Sequence, residues 1–219
     1  LLQVLRDAPQ NFLMPLSQAI CQSLQGGNLA IRKEAVHVLE KIQNDATAPS
    51  LFACLSDPAS EVRSMAVTAL RHSIQKKEVV DQLLPLLQDP EEDVREAVLH
   101  VLATSDDPKV IEPLVESLSW ARAATIDVIA LALADHHQNG VIAILDILMG
   151  RDEPRMRWGL AKTLEHIREE RVIPFLMTLL RDDDPGVRKT AARALGKYPE
   201  LGEREPLREC LADPDASVR

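Results

Sequence analysis

Aromatic side chains are nearly missing from this sequence: two Trp, one Tyr and three Phe make up 3% of 219 residues. The apolar content is still 46%, and Leu, Ala, Val and Ile carry it. β-Sandwiches usually draw on more aromatics, whereas small and aliphatic side chains suit close helix packing. Cysteine is sparse as well. Cys21, Cys54 and Cys210 are odd in number, lack Cys-x-x-Cys spacing and sit among apolar residues. They read as unpaired buried thiols in a reducing compartment, not as a disulfide framework. Positive charge is in deficit, with 25 Lys and Arg against 34 Asp and Glu, a net charge of −9. That balance argues against sequence-independent nucleic-acid binding and against an anionic membrane surface, both of which need cations facing phosphates. No apolar run approaches the roughly 18 residues of a membrane span, so no membrane insertion is expected. No charged-then-apolar leader opens the chain, and a cytoplasmic location is the expectation.

What the sequence has in abundance is repetition. LSDPASEVR at 55–63 returns as LQDPEEDVR at 87–95 and LADPDASVR at 211–219. With the Arg of each phrase as anchor, Arg32, Arg63, Arg95, Arg157, Arg188 and Arg219 follow at gaps of 31, 32, 62, 31 and 31. The 62 is two periods, with Ile126 standing where an Arg would fall. Seven units share one period of about 31 residues. Three residues after the anchors lie Ala35, Ala66, Val98, Ile129, Leu160 and Ala191; seven after lie Leu39, Leu70, Leu102, Leu133, Leu164 and Leu195. Offsets of 0, 3 and 7 mark one stripe of a helix, so an amphipathic helix B follows each anchor. A second apolar stretch of helical period, such as VVDQLLPLLQ or RVIPFLMTLL, precedes each phrase as helix A, with Pro113 and Pro174 near such helix starts. The Asp-Pro between them reads as a cap, with Asp57 or Asp89 at the N-cap and Pro at the first helical position.

These residues resemble HEAT repeats, in particular the short HEAT-like repeats of the phycobilisome (PBS) lyase type. The likeness lies in the Asp-Pro turn, the Val-Arg pair and the Ala-rich second helix ending in Leu-Gly, as in DDDPGVRKTAARALG at 182–196. The resemblance implies an all-α fold, a right-handed α-solenoid (an armadillo/HEAT-like superhelix) of about seven two-helix repeats. They fall near 11–43, 44–75, 76–106, 107–137, 138–168, 169–200 and a shortened 201–219, one solenoid throughout. It also implies that turn Asp and helix-B Arg bond between neighbouring repeats, which singles out Asp57 and Arg63, Asp89 and Arg95, Asp182 and Arg188, and Asp213 and Arg219 as ladder residues six apart. Gly26 replaces the acid in the first repeat, Trp120 and Ile126 replace both residues in the fourth, and the fifth has its acid displaced to Asp152. The ladder is therefore expected to lapse across the middle of the chain. Neither end carries the polar capping unit a solenoid needs, so a fragment of a longer protein is expected.

No catalytic constellation emerges. The iron-dependent deoxyhypusine hydroxylases, which are HEAT-repeat enzymes, bind metal through His-Glu pairs, and none of the six His here precedes a Glu. His136-His137 reads as a solvated helix end, and there is no Gly-rich phosphate loop and no Gly-x-Ser-x-Gly. No cofactor and no metal are expected, and the chain reads as a non-enzyme. The resemblance leaves a bilin lyase or isomerase as the alternative, beside a structural spacer. In HEAT proteins the B helices line the concave face, and offsets 1, 5 and 9 beyond the anchor fall on its solvent side. There Glu96, His100, Asp127 and Asp135 give an acidic middle, and Lys162, Lys189, Arg193 and Lys197 a basic later part. Trp158, read as exposed, is the candidate anchor of an interface. The implied function is a protein–protein interaction scaffold that takes a protein or peptide segment, or a neighbouring domain of the same parent chain.

Overall fold

In the computed structural model the apolar stripe positions are among the most deeply buried of the described residues. Leu39, Leu70, Leu102, Leu133, Leu164 and Leu195 are at most 1% exposed, and Ala35, Ala66, Val98, Ile129, Leu160 and Ala191 are fully buried. The structure describes residues 9, 13–42, 47–135, 153–167, 169–198 and 205–219. Among these residues there is no strand. His136, His137, Met149 and Asp152 lie outside them.

Packing divides the chain into two compact units, Leu1–Val110 and Ile111–Arg219. The first holds α1 (Ser17–Gly26), α2 (Leu29–Ile42), α3 (Ala48–Cys54), α4 (Ser60–Ala69), α5 (Lys77–Leu83) and α6 (Glu92–Leu102). Here α2, α4 and α6 are B helices lying side by side, α2 on α4 and α4 on α6. The second holds α7 (Ile111–Ser117), α8 (Ala123–Asp135), α9 (Pro154–His166), α10 (Ile173–Leu179), α11 (Pro185–Leu195) and α12 (Glu205–Glu209). Its B helices α8, α9 and α11 pack in the same order, and α7 and α10 are A helices. The A helices are short. After α5 the chain tightens into a 3-10 turn over Leu84–Gln88, where Pro85 has no amide to continue the α-helical ladder.

The turn Asp does not cap helix B directly. Helix α4 starts at Ser60 with Ala59 at its N-cap, and the Asp57 carboxylate accepts from the Ala59 amide in a tight turn just before it. Asp89 likewise accepts from Glu91, the N-cap of α6. In α11 a second acid, two residues later in the repeat, is the one that caps. The Asp184 carboxylate accepts from the Gly186 and Val187 amides, with Pro185 at the first helical position of α11. Asp215 accepts from Ser217 at the corresponding place.

The turn Asp is instead one half of a rung between repeats. Arg32 meets the Asp57 carboxylate through two hydrogen bonds of 2.8 and 3.0 Å. Arg63 meets Asp89 through two of 2.8 Å. In the second unit Arg157 meets Asp182 at 2.6 and 3.0 Å, and Arg188 meets Asp213 at 2.8 and 2.9 Å. Each pair is 25 or 26 residues apart, an anchor Arg reaching forward to the next turn. The six-residue spacing corresponds to another bond, from the Arg to the main-chain carbonyl of its own turn. Arg63 donates to the Asp57 carbonyl, Arg95 to Asp89, Arg188 to Asp182 and Arg219 to Asp213. So Arg63 pairs with the carboxylate of Asp89 and only with the backbone of Asp57. The Arg63 and Arg188 guanidinium groups thus tie their own turn, through its carbonyl, to the next turn, whose carboxylate matches the planar fork.

In the fourth repeat, apolar packing and a different arginine stand where the rung residues are missing. Ile126, at the anchor position, is fully buried, and Trp120 is 38% exposed at the turn. Arg155 of α9 donates to the Ala121 carbonyl, so helix B of the fifth repeat still grips the fourth turn. Alongside, Gly159 of α9 sits on Leu118. A Cβ at Gly159 would lie 2.9–3.1 Å from three Leu118 side-chain atoms, and Leu118 is fully buried with no space to swing into. Gly159→Val should therefore overpack this contact and cost about 1–3 kcal/mol. A urea melt with an unchanged midpoint would show that α9 does not approach α7 this closely.

An open groove on the B helices of the second unit

At about 100° per residue, offsets 5 and 9 form the crest of a B helix, while offsets 1 and 8 lie on the flank toward the next repeat. In the second unit the crest presents Leu131 and Asp135 on α8, Lys162 and His166 on α9, and Arg193 and Lys197 on and just past α11. An open groove of about 540 Å³ runs across these helices, lined by Asp127, Val128, Leu131, Lys162, Glu165 and Arg193, with His166 at its edge. Leu131 is 50% exposed, a large apolar side chain facing water among charged ones. Most ligand sites combine such apolar surface with a few placed polar groups.

The charges are arranged in pairs across the helices. Lys162 reaches back to Asp127 at 2.6 Å, with its own side chain 15% exposed and the carboxylate 54% exposed. Glu165 holds two cations from the next repeat, Arg193 at 2.6 Å and Lys197 at 3.0 Å. Burial would push the Glu165 carboxyl up, but the hydrogen bonds from Arg193 and Lys197 outweigh it and hold it below the usual carboxylate range. Glu165 is the residue the sequence reading missed. Its only signal is its offset of 8, on the flank from which a carboxylate can meet offsets 5 and 9 of the following helix.

Two sequence expectations are corrected. Trp158 is half-buried and not an exposed anchor: its indole N–H donates to the Thr190 hydroxyl of α11 at 3.1 Å, and Lys162 Nζ lies 5.4 Å from its ring centre. It braces α9 against α11 beneath the groove. Glu96 is only 5% exposed. The reason is shared: offset 1 sits on the helix flank, and a B helix packed on both sides buries an arc far wider than the stripe. Of the remaining candidates, Asp127, Lys162 and Arg193 line the groove, and Lys197 reaches it through Glu165. Asp135 is exposed at the end of α8, and Lys189 is exposed in the middle of α11, on the flank outside the groove. His100 is half-buried on α6 of the first unit and takes no part in the groove.

Among the described residues no three His, Cys, Asp or Glu side chains gather as a metal site, and no helix is long and apolar enough to cross a membrane. None of the three cysteines forms a disulfide, and burial pushes the Cys54 thiol up to about 11, which leaves it a poor nucleophile.

Comparison with known proteins matches this pattern of paired helices to the model for HEAT repeats over residues 17–73, 48–134 and 142–219. The chain belongs to the HEAT-repeat family. Its all-α HEAT fold has wide but distant likenesses among solved structures. Human deoxyhypusine hydroxylase in complex with glycerol is 21% identical with a TM-score of 0.40, covering 100% of this chain and 84% of that one. One engineered protein is 20% identical with a TM-score of 0.47, covering 99% of this chain and 70% of that one. A second is 19% identical with a TM-score of 0.34, covering 92% and 91%. No curated protein matches the sequence.

Proposed function

We propose that this HEAT-repeat chain is a non-catalytic interaction module of a reducing compartment such as the cytoplasm, and that it holds a protein or peptide segment on the B-helix face of its second unit. The observation that supports this reading is Leu131, half-exposed in the lining of an open groove among charged side chains. A stable fold gains nothing from a leucine left in water, while a partner that covers it recovers the burial energy, about 25 cal/mol per Å². Asp127, Lys162, Glu165 and Arg193 are already engaged in ion pairs, which suits recognition better than proton transfer. The short-repeat subtype and its association with bilins lend no residue to this groove.

Selection of displayed twelve-residue peptides on the immobilised full chain tests the reading. Peptides should be enriched whose binding is lost in Leu131→Asp and kept in Leu29→Asp, where Leu29 is a comparably exposed leucine (38%) of the first unit. Enrichment that is indifferent to Leu131 would overturn it.

A further inference from the structure

The groove is not electrically uniform, and its asymmetry specifies what it can hold. On the α8 side the exposed charges are the carboxylates Asp127 and Asp135. On the α11 side they are cations. Arg193 and Lys197, 49% and 44% exposed, share the single carboxylate of Glu165, itself only 10% exposed. Two cations on one carboxylate leave a surplus positive charge at that point. Arg193 spends one guanidinium nitrogen on Glu165, which fixes its orientation and leaves donors directed to solvent. Between the two flanks lies Leu131.

We infer that the groove takes an internal, extended segment of a protein partner in which an apolar residue, seated on Leu131, is followed or preceded about five residues away by acidic side chains seated on Arg193 and Lys197. This deepens the function proposed above and rests on it. The spacing follows from the packing: α8 contacts α9 and α9 contacts α11. Side-by-side helices lie about 8–10 Å apart, so the axes of α8 and α11 are separated by roughly 16–20 Å. At about 3.3 Å per residue, five extended residues cover the distance. The acid is specified by charge complementarity. A base at that place would meet the surplus cations and be repelled, and on the other flank Asp135 disfavours a second acid beside the apolar residue, Asp127 being paired with Lys162. Glu165 acts as a positioning residue, holding Arg193 without cancelling the local charge.

The probes are three blocked dodecapeptides, acetylated and amidated so that no terminal charge can substitute: GSLSGSGEESGS, its Lys-Lys counterpart GSLSGSGKKSGS, and GSSSGSGEESGS. Each is titrated into the isotope-labelled full chain and followed by amide chemical shifts. The Leu/Glu-Glu peptide should shift resonances of α8, α9 and α11 and bind at least ~10-fold more tightly than either control, an advantage that shrinks between 0.05 and 0.5 M salt as exposed charges are screened. Arg193→Glu and Lys197→Glu should each reduce that advantage several-fold. Equal binding of the Glu-Glu and Lys-Lys peptides, both lost in Leu131→Asp, would overturn the acidic assignment and leave the groove reading standing. No shift with any peptide, while display selection still yields Leu131-dependent binders, would overturn the assignment alone. No shift together with a failed selection would remove both.

Discussion

Leu195→Ala is expected to lower the unfolding free energy by about 2–5 kcal/mol, and Leu70→Ala to do the same in the first unit. Both leucines are 1% exposed at the seventh position after an anchor, at the end of a helix B that packs on its own helix A and on a neighbouring helix B. Truncation removes apolar contact and leaves a cavity, and a helix held on several sides relaxes little into the gap. Ala191 and Ala194, both fully buried beside Leu195 on α11, are too small to swing into the space. Glu91→Ala is the control. Glu91 is exposed, and although it stands at the N-cap of α6 its side chain makes no cap bond, so its loss should stay within about 0.5 kcal/mol. Urea melts of the three variants check the stripe. Equal losses would mean that the buried face is assigned to the wrong side of helix B.

Arg63→Ala is the second large effect, expected at about 2–3 kcal/mol. Exposed ion pairs contribute at most about 1 kcal/mol, and breaking fully buried ones costs about 3–5 kcal/mol. The Arg63–Asp89 rung lies between these limits, with side chains 11% and 7% exposed and two hydrogen bonds of 2.8 Å. Removing the arginine also strips a bond from the Asp57 carbonyl and leaves a nearly buried carboxylate without its partner. The same rung makes a pH signature. The Arg63 hydrogen bond, working against burial, holds the Asp89 carboxyl below the usual carboxylate range. At Asp57 burial pushes upward, and the hydrogen bonds from Arg32 and the Ala59 amide outweigh it. A carboxyl depressed in the folded state contributes stability above its unfolded pKa, about 3.9. That contribution is lost as pH falls through the folded value. Stability should therefore drop as pH falls below about 4, and the drop should be shallower in Arg63→Ala. An unchanged slope would show that the rung does not hold Asp89 ionised.

The sequence made some of this legible and hid the rest for physical reasons. Leu39, Leu70, Leu102, Leu133, Leu164 and Leu195 could be placed because helix period and repeat period act on the same chain segment. The two acidic roles could not be separated in the same way. Asp57 and Asp184 both precede a Pro, yet one grips the previous repeat's arginine and the other caps its own helix. The difference is a shift of two residues relative to the anchor. The partner of Arg63 lies 26 residues ahead and not six behind, and local spacing carries no sign of that. Glu96 and Trp158 were misplaced for another reason: three stripe positions understate how much of a B helix its neighbours cover. Glu165 became visible only once α11 was set beside α9, because its role depends on Arg193 and Lys197 from the next repeat. Charge and repeat spacing suggest the basic flank. The half-exposed leucine and the single shared carboxylate that shape the groove come from the packing of the helices.

The central claim is that a partner segment lies across α8, α9 and α11, while rungs and stripe hold the repeats together from other faces. The most direct measurement is site-specific photo-crosslinking. A benzophenone amino acid is placed at Leu131 in the groove and, in a separate variant, at the exposed Thr178 of the A helix α10 in the same unit. Each is irradiated with a display-selected peptide. The account predicts an adduct from position 131, mapped to an apolar residue of the peptide, and little from position 178. Equal yields from both positions, or a yield from 178 alone, would contradict it.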